Sequence, residues 1–247
     1  MTEPPRLLLV PQLTELEWVI HPLLEEWADV ATYDAPGVGD EPSVDDFGSE
    51  AVAQRGLEEI ERRGWERFFV VADEFGVAAA TQIAVAAGGA LDGIALGHAR
   101  LTNSLGGDRP AVNHEVHEAC LSLIRTDNRT FVRQLFKMTG GADSAGGYGD
   151  ELAERYLQRV PIELELPFWE TRTFEGEPIG ERMAQLSAPM LLARHRGCLL
   201  FTDEGFDDAV AAFPHAQAIT CAEKPGTSRE FAEALRQFCA QAVASPS

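Results

Sequence analysis

The sequence predicts an α/β protein: a mostly parallel central sheet with helices on both faces and a helical segment inserted between two strands. Short runs that are apolar at every position alternate with helical patterns. Strands that lack an in–out alternation are buried on both faces, as in a parallel sheet covered by helices. The rhythm stops after Leu101 and resumes at Pro189, with helical, polar sequence between. The length of 247 residues, 45% of them hydrophobic, suits one α/β domain carrying an insertion. The expected division is a core of residues 1–103 and 187–247 and a helical cap of residues 104–186.

Arg6-Leu7-Leu8-Leu9-Val10 reads as the first strand. Leu23 to Trp27 ends a short amphipathic helix, and Asp29-Val30-Ala31-Thr32-Tyr33 is the second strand. Asp34-Ala35-Pro36-Gly37-Val38-Gly39 is rich in turn formers. Ser49 to Arg63 is a charged helix with Val52, Leu57 and Ile60 on one side, and Arg67 to Val71 is the third strand. Val77 to Ala87 is an Ala-rich, almost uncharged helix fit for burial, and Gly93 to Gly97 is the fourth strand. From Pro110 to about Leu186 the sequence is helical, with loops at Gly140-Gly141 and Gly146-Gly147. Pro189 to Ala193 is a strand, Phe206 to Phe213 a helix, Ala216 to Thr220 a strand and Ser228 to Ala242 the closing helix.

Forty acidic against 20 basic residues give a formal charge of −20. That charge repels nucleic acid and anionic membranes, so neither is an expected partner. No apolar run is long enough to span a bilayer. The N-terminus has neither a basic leader nor a signal core, and the four cysteines show no CxxC or metal spacing, which reads as a reduced, cytoplasmic protein. A homodimer is left open.

The order of elements resembles the α/β-hydrolase fold over nearly the whole chain. Leu7 to Gln12 resembles the first core strand and its oxyanion loop, followed by Trp18. Tyr33-Asp34-Ala35-Pro36-Gly37-Val38-Gly39 resembles the YDxPGxG turn. Ala72-Asp73-Glu74-Phe75-Gly76 sits where the GxSxG nucleophile elbow belongs. Phe206 to Phe213 and Phe231 to Phe238 resemble the closing helix–strand–helix unit. The resemblance puts Glu74 at the nucleophile position. Haloalkane dehalogenases and epoxide hydrolases carry Asp, an aromatic and Gly there, and Glu74-Phe75-Gly76 is similar but one methylene longer. The late His is missing from Thr220-Cys221-Ala222-Glu223-Lys224-Pro225-Gly226, and Arg194-His195-Arg196-Gly197-Cys198 replaces the expected acid.

The remaining residues permit specific chemistry. A carboxylate at a helix N-terminus can act as base or nucleophile. An ester on Glu74 needs a base for its hydrolysis, so general-base chemistry suits Glu74 better than a covalent intermediate. His98 and His195, each placed at the carboxyl edge of the sheet, are candidate partners of Glu74. The Phe75 N–H and one from Gln12 would cradle an oxyanion. Trp18 and the cap aromatics Trp169, Phe168, Phe131 and Tyr148 would shape an apolar pocket for a small hydrophobic molecule. His114 and His117 lack the HExxH pattern, so no metal is expected, and the resemblance implies no cofactor. Asp73 reads as a loop cap and Cys221 as a small apolar filler. The reaction, whether hydrolysis, elimination or rearrangement, stays open. So does the alternative of an inactive small-molecule binding protein.

Overall fold

The computed structural model describes residues 3–14, 18–42, 48–102, 110–140, 148–171, 178–196, 198 and 202–244, apart from the side chains of 110–116, 136–140, 148–152 and 167–171. Six strands form one sheet: β1 (Arg6–Val10), β2 (Asp29–Thr32), β3 (Phe68–Asp73), β4 (Leu91–Gly97), β5 (Met190–His195) and β6 (Gln217–Cys221). Their order is β2-β1-β3-β4-β5-β6 and every pair is parallel. The chain starts inside the sheet, steps out to β2 and returns past β1 to β3. The strand order reverses between β1 and β3, and open α/β sheets place their sites beyond the carboxyl ends of the strands.

The strands are buried on both faces because their side chains alternate between two apolar layers. Leu8, Val10, Val70, Ala72, Ile94 and Leu96 pack with the helices α2 (Ser49–Arg63) and α3 (Gly76–Ala87). Leu7, Leu9, Phe69, Val71 and Ala95 pack on the other side with α1 (His21–Glu25) and the C-terminal helix α10 (Arg229–Ala244). The all-apolar strands of the sequence are thus explained by two covered faces. The Ala-rich α3 is buried along most of its length, as its composition requires.

Between β4 and β5 lie α4 (Pro110–Thr126), α5 (Asn128–Gly140), α6 (Tyr148–Arg159), α7 (Ile162–Thr171) and α8 (Ile179–Met183). The insertion shares the core: Ile124, Phe131, Tyr156 and Leu164 join the same buried cluster as the sheet. Arg159 ties α6 to the turn after β2 twice. Its guanidinium pairs with Asp34, and its carbonyl accepts the Gly39 N–H at 2.9 Å. The helix α9 (Asp203–Ala212) precedes β6 and is capped by Thr202, whose hydroxyl accepts from the Gly205 N–H. No described helix is long and apolar enough to cross a membrane.

Several boundaries differ by a few residues from the sequence reading, and two of them matter for the site. β3 runs on to Asp73 and β5 runs on to His195. The ladders explain this: Asp73 pairs with Gly97 and His195 pairs with Cys221, so neighbouring strands hold these polar residues in the sheet.

Candidate active site

The chain turns sharply after β3. Glu74 has φ +49°, a left-handed conformation that costs a residue with a side chain about 1–2 kcal/mol. The turn is held by the Glu74 N–H, which donates to the Gly97 carbonyl (3.2 Å) and to Asp73 Oδ1 (2.9 Å). α3 starts two residues later at Gly76, where a Cβ would lie 3.0 Å from the Val10 carbonyl oxygen. The loop after β1 therefore lies against the elbow and delivers Gln12 to Glu74.

Glu74 is fully buried. Its Oε2 accepts from Gln12 Nε2 and from Lys224 Nζ, the latter at 2.7 Å, while Oε1 has no hydrogen-bond partner among the described residues. Lys224 is itself buried, in the turn after β6. A buried carboxylate is tolerable only with such a partner. The elbow thus carries a neutralised ion pair.

The second constellation starts one residue earlier. Asp73 Oδ1 bonds His98 Nδ1 at 2.7 Å, and His98 Nε2 meets His195 Nδ1 at 2.8 Å. Asp73 Oδ2 accepts the Gly226 N–H at 3.3 Å. Gly97 makes room for this, because a Cβ there would collide with the Asp73 carboxylate. His98 also has φ +49°, and its N–H donates to the Ala193 carbonyl at 2.7 Å. The two described non-glycine residues with positive φ therefore stand side by side at the ends of β3 and β4, both in the site.

All three members of the chain are buried. Burial alone pushes the Asp73 carboxyl up. The charge and hydrogen bond of His98, the Lys224 ammonium and the Gly226 N–H outweigh it and hold the carboxyl at about 2. Burial and the neighbouring His98 push the His195 imidazole down to about 4, against the pull of Asp73. Where Asp73 is ionised and each ring carries a single proton, the bonding partners assign those protons. His98 donates from Nδ1 to Asp73, and its Nε2 accepts from His195 Nδ1. The lone pair left over is on His195 Nε2, which has no partner among the described residues.

His98 and His195 line a cavity of about 230 Å³. Arg100, Arg194, Thr202 and Phe206 also form its walls. Arg100 donates from Nη1 to the His98 carbonyl at 3.1 Å. Burial pushes Arg100 down to about 10, opposed by Glu74, Cys198 and Asp73. Arg194 lies over the Phe206 ring and pairs with Asp207 at 2.9 Å and Asp203 at 3.4 Å.

The structure therefore brings His98 and His195 together at the carboxyl edge, but with Asp73 and not with Glu74. The hydrogen bonds of the Glu74 carboxylate go to Gln12 and Lys224. Gln12 spends its side-chain N–H on Glu74, while Phe75 is buried at the start of α3. Neither Glu74 nor Trp18 lines the cavity. Trp18 packs with Ile20 and Leu24 on the α10 side of the sheet, its Nε1 donating to the Val10 carbonyl at 3.3 Å, so it is core instead of pocket wall. Phe131 is likewise core. The side chains of Trp169, Phe168, Tyr148 and His114 lie outside the described residues. Among the described residues no group of three His, Cys, Asp or Glu could hold a metal ion. Burial pushes the Cys221 thiol up to about 11, which suits a filler.

Three participants were missed. Asp73 looked like a loop cap because its strand reads as ending at Val71. Lys224 stands in the segment searched for a histidine, and a search for any titratable group there would have found it. Arg100 gave no signal beyond lying two residues after His98.

No protein-family model and no curated protein matches the sequence. Solved structures do. A bromoperoxidase from Bacillus anthracis superposes with a TM-score of 0.76 at 15% identity, covering 96% of this chain and 92% of that one. An enol-lactonase from Burkholderia xenovorans LB400 gives 0.74 at 15% identity, over 99% and 93%. The chain has the α/β-hydrolase fold. A haloalkane dehalogenase loop variant from Bradyrhizobium elkanii shares that fold, with a TM-score of 0.72 at 16% identity over 98% and 91%. The α/β-hydrolase fold is thus established over nearly the whole length, whereas activity must be argued from the residues themselves.

Proposed function

We propose that this protein is a cofactor-independent enzyme that hydrolyses a small molecule, with His195 as its general base. The observation that carries this is the unbroken Asp73–His98–His195 chain, which ends in an Nε2 with no partner among the described residues, on a residue that lines a cavity. Glu74, the residue favoured by sequence, is closed off by Lys224 and Gln12 and becomes part of the frame. The described walls favour a polar molecule over the hydrophobic one that the sequence suggests.

The reaction is water addition to an ester or lactone carbonyl. His195 Nε2 takes one proton from water as its oxygen bonds the carbonyl carbon. The tetrahedral intermediate then breaks its bond to the alkoxy oxygen, which receives that proton from Nε2. The products are a carboxylic acid and an alcohol. While protonated, His195 is stabilised through His98 by the Asp73 carboxylate. Because His195 loses its proton near pH 4, the base form prevails at neutral pH.

A panel of short-chain esters and lactones tests the reading. His195→Gln should lower kcat/KM by about 10²–10⁴-fold, the usual worth of a positioned base, and Glu74→Gln should lower it less. A folded His195→Gln protein with the parent rate refutes the assignment. A larger loss in Glu74→Gln returns the chemistry to the elbow. The Glu74–Lys224 pair also favours a second reading, a binding protein that kept its pocket. Ligand binding with no turnover of any panel member would establish it.

A further inference from the structure

The charges around the cavity do not cancel. Arg194 is spent on Asp203 and Asp207. Arg100 is within electrostatic reach of the buried carboxylates Glu74 and Asp73. Glu204 and Asp208 remain. Both line the cavity, both are solvent-exposed, and neither has an ion-pair partner among the described residues. They stand one turn apart on α9, so they share a face.

On the same cavity stands His195, whose Nε2 is buried and has no partner among the described residues. A ligand that satisfies both features has a hydrogen-bonding centre for Nε2 and a positive charge for the two carboxylates. We infer that the site takes a small organic cation, an amine-bearing ester or a close relative, with its ammonium group against Glu204 and Asp208 and its carbonyl near His195. This rests on the hydrolase reading above for its ester, though not for its charge. The formal charge of −20 acts the same way at longer range, because it draws cations toward the protein and repels anions.

Two isosteric probes separate the charge from the chemistry: β-alanine methyl ester, which is cationic, and methyl butanoate, which is neutral. The protein should turn over the cationic ester with the higher kcat/KM, by roughly fivefold or more, the scale that two exposed charges can give. Glu204→Gln with Asp208→Asn should collapse that ratio, and so should raised salt. Equal turnover of both esters, lost in His195→Gln, overturns the cation inference and leaves the hydrolase reading intact. If neither ester turns over, calorimetry with propylammonium decides. Binding that falls in the double variant upholds the cation site without hydrolysis, and no binding overturns it.

Discussion

At the scale of single residues, the site is two buried acids with different partners. Asp73 and Glu74 are adjacent, yet one ends a strand and faces His98 while the other turns into the left-handed region and meets Lys224. Removing one member of a buried pair leaves the other charge unpaired, which costs about 3–5 kcal/mol, whereas removing both costs far less. Lys224→Met should therefore destabilise strongly, and Glu74→Gln with Lys224→Met should recover most of the loss. Chemical unfolding of the two single variants and the double variant measures this. Additive losses would mean that the pair contributes no coupling. Glu74 was legible in the sequence because its position in the elbow is fixed by the strand and the Ala-rich helix beside it. Its partner was not, because 150 residues separate them and only the sheet order brings the turn after β6 across to the elbow.

At the scale of elements, the strands and helices were legible because a doubly covered parallel sheet writes itself as apolar runs. What failed were strand ends. A polar Asp73 or His195 looks like a loop residue until the neighbouring ladder is known. The insertion holds a further buried acid. Glu165 on α7 is fully buried, and its carboxyl oxygens make no well-aligned hydrogen bond among the described residues. Burial pushes it from 4.5 up to about 7, and nearby Asn128 opposes the shift only in part. The folded state thus prefers the neutral carboxyl. The associated stability is present in full below pH 4.5 and is lost as pH rises through about 7. The loss amounts to roughly 3 kcal/mol at about 1.4 kcal/mol per pH unit. Glu165→Gln, which stays neutral, should match the parent at pH 4 and exceed it at pH 8. Melting curves that run parallel over that range would show that Glu165 is ionised without penalty.

At the scale of the whole molecule, the sheet is a device for collecting polar groups on one edge. Gln12 follows β1, Asp73 and Glu74 close β3, His98 follows β4, His195 ends β5 and Lys224 follows β6. The fold class could be read from the rhythm of the chain, and the sequence places His98 and His195 on the same edge of the sheet where the structure has them. The pairing within that edge could not, since it depends on which of two adjacent carboxylates faces the histidines. The central claim is that Asp73, His98 and His195 form one proton chain with a free lone pair at its end. Nitrogen NMR of the ¹⁵N-labelled histidine rings, followed from pH 8 to pH 3, tests it most directly. At neutral pH His195 should carry its proton on Nδ1, toward His98, with Nε2 bare. Protonation of His195 should appear only near pH 4. A His195 that titrates near the ordinary value of 6.5, or one protonated on Nε2 at neutral pH, would contradict it.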